Sequence, residues 1–283
     1  MSRKGIILAG GSATRLHPIT QYITKHLLPV YDKPMINYPL SILMSAGIKD
    51  ILIVSAKKDL IFFKDYLGNG KKYGVNFAYE VQDKPNGLAE AFIIGETFIK
   101  NSSVALILGD NLFVGSDLKK KLIYANNSKK NTIFLKQVKN PKRFGVASFD
   151  KKGTRLVQIE EKPKKPKSNL VVTGLYFYEN SVIKFAKKLK PSARGELEIT
   201  DINNIFIKKK KLEYMTLNRS TIWKDAGTFD SLLETSNIIE RLQNNSCYIG
   251  LLEETSIKNQ WITRNQINHI NDPLIKKYLK SLK

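Results

Sequence analysis

The segment best suited to chemistry is a glycine-rich turn, GGSATRLHP at residues 10–18, which follows a short apolar run. Such a turn exposes backbone N–H groups that can bind phosphate oxygens. It is not a P-loop, because Gly-Lys-Ser/Thr is missing at the required spacing, and it is not the dinucleotide pattern G-x-G-x-x-G. Glycines also occur in tight turns for steric reasons alone. Thr14 and Arg15 favour the functional interpretation, since a fixed guanidinium beside such a turn suits a triphosphate.

A second cation, Lys25, stands ten residues after Arg15. A lone lysine is usually a solvated surface residue. This one precedes a tight apolar segment that contains Pro29, which should hold it in place. We expect Lys25 to add a second positive charge beside the same phosphates.

Two aspartates are candidates for metal binding. Asp110 follows a buried strand directly, although a helix cap or a turn would also use an aspartate there. Asp225 lies in WKDAGT, just before a predicted helix. Mg²⁺ prefers a couple of carboxylates together with phosphate oxygens and water. Two distant acids and a phosphate-binding turn fit metal-assisted phosphoryl or nucleotidyl transfer.

A charged pair, Glu161-Lys162, follows another predicted strand. An adjacent acid and base can hold sugar hydroxyls and a sugar phosphate, although the same residues also form ordinary charged turns. The segments 172–174 and 194–201 allow the same two interpretations, pocket edges or plain turns and helix starts.

Strands that alternate with helices must position these residues. Apolar β-branched runs predict strands at 6–9, 51–54 and 104–108, and apolar residues at helical spacing predict helices at 35–46 and 88–99. This order indicates an α/β fold with a doubly wound, mixed, mostly parallel sheet and helices on both faces. Ligands of such sheets bind beyond the carboxyl ends of the strands.

The second half of the chain is more mixed. The strands predicted there are 132–138, 146–149, 156–159, 171–178 and 214–217. The predicted helices are 180–190 and one that Thr228 caps and that runs to about residue 245. We expect a main domain at 1–245 and a small helical appendage at 246–283.

Composition excludes several classes of protein. The 283 residues are 42% hydrophobic, enough for one large domain with a core, and no apolar run is long enough for a membrane helix or a secretory signal. The net charge is +22, but only eight of the 47 cationic residues are arginines, which argues against a nucleic-acid partner. The single cysteine, Cys247, fits a reducing compartment, so we expect a cytoplasmic protein without a membrane partner. His17, His26 and His269 lack metal-ligand spacing.

Taken together with their spacing, these segments resemble the sugar-phosphate nucleotidyltransferase family. The matching stretches run from residue 4 to about 228 and are KGIILAGGSATRLHP, TKHLLPVYDKPMINYPLSILMSAGIKDILIVS, GLAEAFIIGETFI, LGDNLF, EEKPKKPKSN, VTGLYFY, LKPSARGELEITDIN and WKDAGT. The GELEITD and VTGLYFY blocks are more specific than the glycine-rich turn, which many nucleotidyltransferases share.

The resemblance implies a Rossmann-like nucleotidyltransferase fold and an activity. Its nearest members transfer a thymidylyl group from dTTP to glucose 1-phosphate with Mg²⁺, which gives dTDP-glucose and pyrophosphate, the first step of dTDP-rhamnose-type sugar synthesis. Attack is direct and in line, so positioning and charge neutralisation carry the catalysis. The resemblance also implies a homotetramer that a dTDP-sugar product inhibits at a second site. The alternatives are a UTP-dependent enzyme or another hexose 1-phosphate, and a sensor without catalysis.

The same resemblance implies a role for each matching residue. The residues expected at the reacting phosphates are Arg15 and Lys25. Those expected at the nucleotide are Gly10, Gly11, Ser12, Thr14, Gln82 and Gly87. Those expected at the sugar and its phosphate are Gly145, Glu161, Lys162 and Val172. Those expected at Mg²⁺ are Asp110 and Asp225.

Three positions depart from the family's usual pattern. Ala13 stands in place of a glycine, and its methyl group is acceptable only at negative φ. His26 replaces a glutamine that belongs to the nucleotide side, and Phe144 replaces a tyrosine beside Gly145.

Overall fold

A nine-stranded sheet forms the centre of the part of the chain that the computed structural model describes, which is residues 2–11, 13–245, 247–267 and 270–282. The strands of the described residues, in chain order, are β1 Lys4–Leu8, β2 Pro29–Val30, β3 Lys33–Pro34, β4 Asp50–Ser55, β5 Asn76–Val81, β6 Val104–Leu108, β7 Asn111–Val114, β8 Asn131–Gln137, β9 Gly145–Phe149, β10 Leu156–Glu161, β11 Leu170–Tyr178, β12 Leu212–Thr216 and β13 Ile222–Asp225. The helices are α1 Asn37–Ser45, α2 Leu60–Leu67, α3 Glu90–Ile94, α4 Glu96–Ile99, α5 Leu118–Asn127, α6 Val182–Ala186, α7 Ile199–Lys208, α8 Phe229–Asn244, α9 Leu252–Lys258 and α10 Pro273–Ser281.

The sheet order is β10-β9-β11-β6-β1-β4-β5, with β8 and β12 joined through β11. Strands β6, β1, β4 and β5 are parallel, whereas β11 runs antiparallel to β6, β8 and β9. The predicted doubly wound, mixed sheet is confirmed. Because the parallel strands end at one edge, the segments that follow β1, β5 and β6 meet there.

Alternate residues of the central strands enter two separate apolar cores. Ile51 and Ile53 of β4 face the core that α1, α2 and α5 cover, whereas Leu52 and Val54 face the core under α3, α6 and α7. Helices on both faces explain why these strands are apolar throughout.

Two features interrupt the regular sheet: a bulge in β11 and a two-stranded ribbon of β7 and β13, called the side ribbon below. The pairing of β11 with β8 shifts between Val172 and Tyr176, which turns Thr173 and Gly174 away from the ladder. Strand β7 follows β6 directly and pairs antiparallel with β13, so that Asp225 lies opposite Asn111.

The predicted strands all occur, with ends that differ by one or two residues, and Thr228 caps α8 as expected. Two predicted helices were wrong in extent. The segment 88–99 is broken at Gly95 into α3 and α4, where a Cβ would come within 2.9 Å of Ile6, and the segment 180–190 is helical only over α6. The helices α2, α5 and α7 and the strands β2, β3, β5, β7 and β13 were not predicted.

The C-terminal residues contain α9 and α10. Leu252 of α9 is buried in the core beside α1, and Ser256 donates a hydrogen bond to the Tyr73 carbonyl at 2.7 Å. Leu279 of α10 is buried in a small separate cluster. Among the described residues, no helix is long and apolar enough to cross a membrane.

Candidate active site

Two cavities open at the carboxyl edge of the parallel strands. The larger has a volume of about 570 Å³. Among its lining residues are seven that the sequence predicted, namely Arg15, Asp110, Gly145, Glu161, Lys162, Val172 and Asp225. The smaller, of about 160 Å³, is lined by three more, namely Gly11, Lys25 and Gln82.

The remaining predicted residues lie beside these cavities or outside the described chain. Gly10, Thr14 and Gly87 do not line either of the two. Gly87 is buried at φ +112°, and a Cβ there would come within 2.5 Å of the Leu197 backbone, so only glycine fits. Ser12 lies outside the residues that the structure describes.

An ion pair between Lys25 and Asp110 joins the two cavities, because Lys25 lines the smaller and Asp110 the larger. Burial alone would raise the pKa of Asp110. The positive charge of Lys25 and the hydrogen bonds from Lys25 and Asn111 outweigh burial and hold that pKa well below its usual value. Asp110 is therefore a carboxylate at every physiological pH.

Asp225 has the opposite electrostatic setting. Its burial, and then the nearby charge of Asp110, raise its pKa, while Lys25, Arg15 and Arg143 lower it. Its Oδ1 is buried and has no hydrogen-bond partner among the residues that the structure describes. The Ala226 N–H donates to the Asp110 carbonyl at 3.0 Å, so the segments that carry the two aspartates are held side by side.

These two carboxylates fit a Mg²⁺ ion. An unpartnered carboxylate oxygen beside a second, permanently charged carboxylate is unfavourable unless a cation lies between or near them. Among the described residues there is no cluster of three or more His, Cys, Asp or Glu that could hold a metal. Mg²⁺ commonly uses one or two carboxylates and completes its shell with substrate phosphates and water.

Asn111 connects three walls of the larger cavity and was missed from the sequence. Its Nδ2 donates to Asp110 Oδ1 at 2.9 Å, and its Oδ1 accepts from Trp223 Nε1 at 2.7 Å and from the Gly174 N–H at 3.1 Å. The side chain is 2% exposed, so each of these bonds is buried. Its place directly after Asp110 in the Leu-Gly-Asp-Asn turn is the sequence signal that could have pointed to Asn111.

Arg15 lies beside Asp225 at the mouth of the larger cavity. A Cβ on Gly227 would come within 2.8 Å of both Arg15 Nη2 and Asp225 Oδ1, so the glycine leaves room for these two groups. Arg15 is solvent-exposed, and its guanidinium is free to meet a phosphate that enters from solution.

The far end of the larger cavity is polar and acidic. Glu161 lies opposite Gly145 in the β9–β10 pair and accepts a hydrogen bond from Thr200 Oγ1 at 2.6 Å. Arg194 approaches Glu161 at 3.6 Å and forms a 2.8 Å ion pair with Glu198. Carboxylates with one occupied oxygen and a cation nearby can bind sugar hydroxyls.

Lys162 projects from a strained backbone position, with φ +44°. Its side chain is 45% exposed and its Nζ lies 4.0 Å from Glu161 Oε1, so the ammonium is available to a ligand phosphate. Two other cations of the larger cavity, Lys142 and Arg143, were missed from the sequence, whereas Arg194 belongs to the segment 194–201 for which a pocket edge was one of the two interpretations. Phe144 packs on Trp223 with ring centroids 5.2 Å apart and forms an apolar wall where the family's tyrosine would carry a hydroxyl.

The glycine-rich turn differs from expectation at one residue. Gly11 has φ +101° and Ala13 has φ +47°, so the requirement for negative φ at Ala13 was wrong. A left-handed alanine is strained by roughly 1–2 kcal/mol, and Thr20 Oγ1, which donates to the Ala13 carbonyl at 2.9 Å, helps to hold it.

His26 does not line either cavity. It is buried beside Thr24, whose hydroxyl lies 3.2 Å from Nδ1, and a Cβ on Gly109 would come within 2.6 Å of the ring. Burial, followed by the charge of Lys25, lowers the pKa of His26 to about 3. The ring is therefore neutral and supports the turn that carries Asp110.

A glycine-rich turn with cations nearby and two carboxylates at the carboxyl edge of the sheet define a class of enzyme that transfers phosphate-linked groups. The chain belongs to the nucleotidyl transferase family, whose model matches residues 4–241. This membership confirms the resemblance found in the sequence.

Two curated relatives carry the name glucose-1-phosphate thymidylyltransferase. The chain is 51% identical over 269 residues, 94% of this chain and 93% of the relative, to a glucose-1-phosphate thymidylyltransferase of Neisseria meningitidis. It is 48% identical to one of Mycobacterium tuberculosis, over 93% and 92% of the two chains.

Two solved structures of nucleotide-sugar enzymes also match this chain. A Bacillus anthracis protein described as a glucose-1-phosphate thymidylyltransferase, in complex with sucrose, matches with a TM-score of 0.77 and 43% identity over 84% of this chain and 95% of that one. A UDP-glucose pyrophosphorylase complexed with UDP-glucose matches with a TM-score of 0.75 and 26% identity, over 85% and 99%.

Proposed function

We propose that this enzyme transfers a thymidylyl group from dTTP to glucose 1-phosphate. The observation that carries this proposal is the Lys25–Asp110 ion pair at the boundary between a small cavity and a larger, polar one. Two substrates that occupy the two cavities would meet at this pair. The names of the curated relatives support the same pair of substrates.

The reaction needs alignment and charge neutralisation more than proton transfer. A phosphate oxygen of glucose 1-phosphate forms a bond to the α-phosphorus of dTTP, and the bond from that phosphorus to the bridging oxygen breaks with release of pyrophosphate. Lys25 would neutralise charge at the reacting phosphate, and Arg15 would stabilise the departing pyrophosphate. Cations that meet charge as it develops lower the barrier in this way.

Asp110 and Asp225 would hold the Mg²⁺. When bound, the ion would act as a Lewis acid on phosphate oxygens. Asn111 holds the carboxylate of Asp110 in one orientation, and Lys25 keeps it ionised. This use of the two aspartates is supported by the unpartnered Oδ1 of Asp225.

The polar end of the larger cavity would bind the sugar. Glu161, with the backbone of Gly145 and Val172, would accept and donate hydrogen bonds to hydroxyls, and Lys162 would pair with the sugar phosphate. On the other side, Gln82 would read the base from the smaller cavity. The glycine-rich turn would pass along the triphosphate.

A panel of triphosphates and sugar 1-phosphates tests the proposal, with pyrophosphate release and the sugar nucleotide as readouts. Mg²⁺, dTTP and glucose 1-phosphate should give both products. Absence of pyrophosphate above background with every pyrimidine triphosphate and hexose 1-phosphate would overturn the proposal.

UTP is the second candidate nucleotide. Uracil lacks only the methyl group of thymine, and one methyl group changes binding by roughly 1–3 kcal/mol. The structural likeness to a UDP-glucose pyrophosphorylase favours measurable use of UTP. A sensor without catalysis is disfavoured, because the chain keeps Arg15, Lys25, Asp110, Lys162 and Asp225.

We also propose a cytoplasmic homotetramer that a dTDP-sugar inhibits at a second site. A separate cavity of about 400 Å³, between α1, α5 and residues 247–258, offers room for such a ligand. Light scattering after gel filtration would give the subunit number. Inhibition by dTDP-rhamnose that stays constant as dTTP and glucose 1-phosphate rise would support the second site.

A further inference from the structure

Gln82 is held by a short chain of side-chain hydrogen bonds beside the smaller cavity. It follows β5 directly and is 5% exposed. Its Nε2 donates to Glu90 Oε2 at 2.8 Å, and the other oxygen of Glu90 accepts from Asn86 Nδ2, also at 2.8 Å. Glu90 itself lines neither of the two cavities, so it acts on a ligand only through Gln82.

The opposite side of the amide faces the glycine-rich turn. A Cβ on Gly10 would lie 2.3 Å from Gln82 Oε1, so the amide oxygen rests against the bare Cα of that glycine. The Gln82 amide is thus confined between Gly10 and Glu90, with its nitrogen toward the glutamate.

A carboxylate accepts hydrogen bonds and cannot donate them. If the Gln82 amide rotated by half a turn, its oxygen would face Glu90 Oε2, and the hydrogen bond would be replaced by repulsion between two acceptors. Asn86 occupies the second oxygen of Glu90, and its carbonyl accepts from the Leu197 N–H at 2.7 Å, which anchors the loop. Both ends of this hydrogen-bonded series, Gln82 and Asn86, are therefore held in place.

We propose that Glu90 is a positioning residue that fixes the Gln82 amide with its oxygen available to the base, and so selects pyrimidines that carry a ring N–H. This inference rests on the proposed function, in which Gln82 reads the base. Thymine and uracil have a ring N–H that the oxygen accepts. Cytosine has an acceptor nitrogen at that position, which would face a second acceptor.

Glu90→Gln tests the proposal, because a glutamine at 90 can present either its oxygen or its nitrogen and no longer fixes Gln82. We expect the ratio of kcat/KM for dTTP to that for dCTP to fall roughly 10- to 100-fold, the usual effect of one hydrogen bond to a charged group. Turnover of dTTP itself should change far less. The matched control is Glu96→Gln, a glutamate on the next helix that pairs with Lys187 at the surface.

Binding without turnover provides an independent readout. Calorimetry with dTDP and dCDP should show the same fall in preference for Glu90→Gln and no change for Glu96→Gln. In a Gln82→Met background, Glu90→Gln should have no further effect on the ratio. An unchanged ratio, or equal weakening of both nucleotides, would overturn the proposal.

Two controls separate the possible failures. If Glu90→Gln does not fold, Asn86→Ala should lower the ratio in the same direction by a smaller factor, and no change in that variant would overturn the proposal. If the wild-type enzyme releases no pyrophosphate, the proposed function fails, while the dTDP and dCDP affinities still decide the role of Glu90.

Discussion

At the scale of single residues, the two aspartates of the site are complementary. Lys25 and Asn111 compensate the charge of Asp110, whereas Asp225 is buried and one of its oxygens has no partner within the described part of the chain. The protein alone therefore stabilises one carboxylate and leaves the other unfavourable. Such an imbalance is expected where a ligand cation completes the site.

Asp225→Asn should uncouple the enzyme from Mg²⁺. Since burial raises the pKa of Asp225, removal of its charge should leave the metal-free melting temperature equal or higher. Mg²⁺ with dTTP should raise the melting temperature of the wild type but not of the variant, by the linkage of binding to stability. The control is Asp201→Asn, on an exposed part of α7, which should keep the full Mg²⁺ response. An equal response in Asp225→Asn would remove that residue from the metal site.

Lys162→Ala should weaken the sugar side alone. Its ammonium is exposed at the larger cavity, so its loss should raise the KM for glucose 1-phosphate about 10-fold or more. The affinity for dTTP should stay the same. Steady-state kinetics with each substrate varied in turn, with Lys164→Ala as control, measure this. If dTTP binding weakened and glucose 1-phosphate binding did not, Lys162 would have another role.

Asn111→Ala should lower the free energy of unfolding and disturb the wall of the larger cavity that Gly174 and Trp223 form. The substitution leaves buried donors on Trp223 and Gly174 unsatisfied, which costs about 1–3 kcal/mol each. Urea unfolding measures the loss, and the emission of Trp223, recorded in a Trp261→Phe background, should shift because its indole N–H loses its partner. An unaltered emission would contradict the network.

At the scale of elements, the central strands were predictable and the side ribbon was not. The runs at β1, β4 and β6 are apolar because both faces are covered. Strand β13 is four residues long and mixed in character, and among the described strands it pairs with β7 alone, so its pattern resembles a loop. The ribbon nevertheless places Asp225 next to Asp110. The two candidate metal ligands could be singled out by residue type, but the β7–β13 pairing that brings them together could not be predicted.

The same limit applies to the cations and to Asn111. Lys142 and Arg143 belong to a chain rich in lysine, where charge gives little contrast between surface and site. Asn111 makes one hydrogen bond to its neighbour Asp110 and two to Gly174 and Trp223, which lie 63 and 112 positions away. No local sequence pattern encodes the two distant bonds. Contacts of this kind depend on the tertiary fold.

Thr228→Ala should weaken α8 at its start. The Thr228 hydroxyl accepts from the Ser231 N–H, and Ser231 in turn accepts from the Thr228 N–H, which forms a capping box. Loss of the cap should lower the free energy of unfolding by about 1 kcal/mol, and Thr228→Ser should restore most of it. Chemical denaturation compares the three proteins. Equal stability of the alanine variant and the wild type would show that the cap adds nothing.

At the scale of the whole molecule, the division into residues 1–245 and 246–283 stays a prediction. Helix α9 places Leu252 in the core beside α1, and Asn259 Nδ2 donates to the Met44 carbonyl at 2.8 Å. A chain that ends at Asn245 would expose this surface. The C-terminal residues therefore contribute to the main core, whatever the boundary.

A chain truncated after Asn245 should unfold at a lower temperature than the whole protein. Leu252 and Ser256 are almost fully buried, and the loss of their contacts should cost about 3 kcal/mol or more. Differential scanning calorimetry of the two chains measures the difference. A truncated chain with the same melting temperature would mark residues 246–283 as an independent appendage.

The net charge of +22 has a limited role in the proposed function. A few cations surround the cavities, and most of the remaining lysines are distributed over the surface. Their field would steer anionic substrates and raise association rates, an effect that salt screens.

The central claim is the transfer of the nucleotidyl group itself, and α-phosphate labelling measures it directly. The enzyme is incubated with Mg²⁺, glucose 1-phosphate and dTTP that carries ³²P at the α position. We predict that the label moves into dTDP-glucose in equal amount to the pyrophosphate released, and that the reverse reaction returns it to dTTP. Label that stays in dTTP, or that appears as free dTMP, would contradict the account.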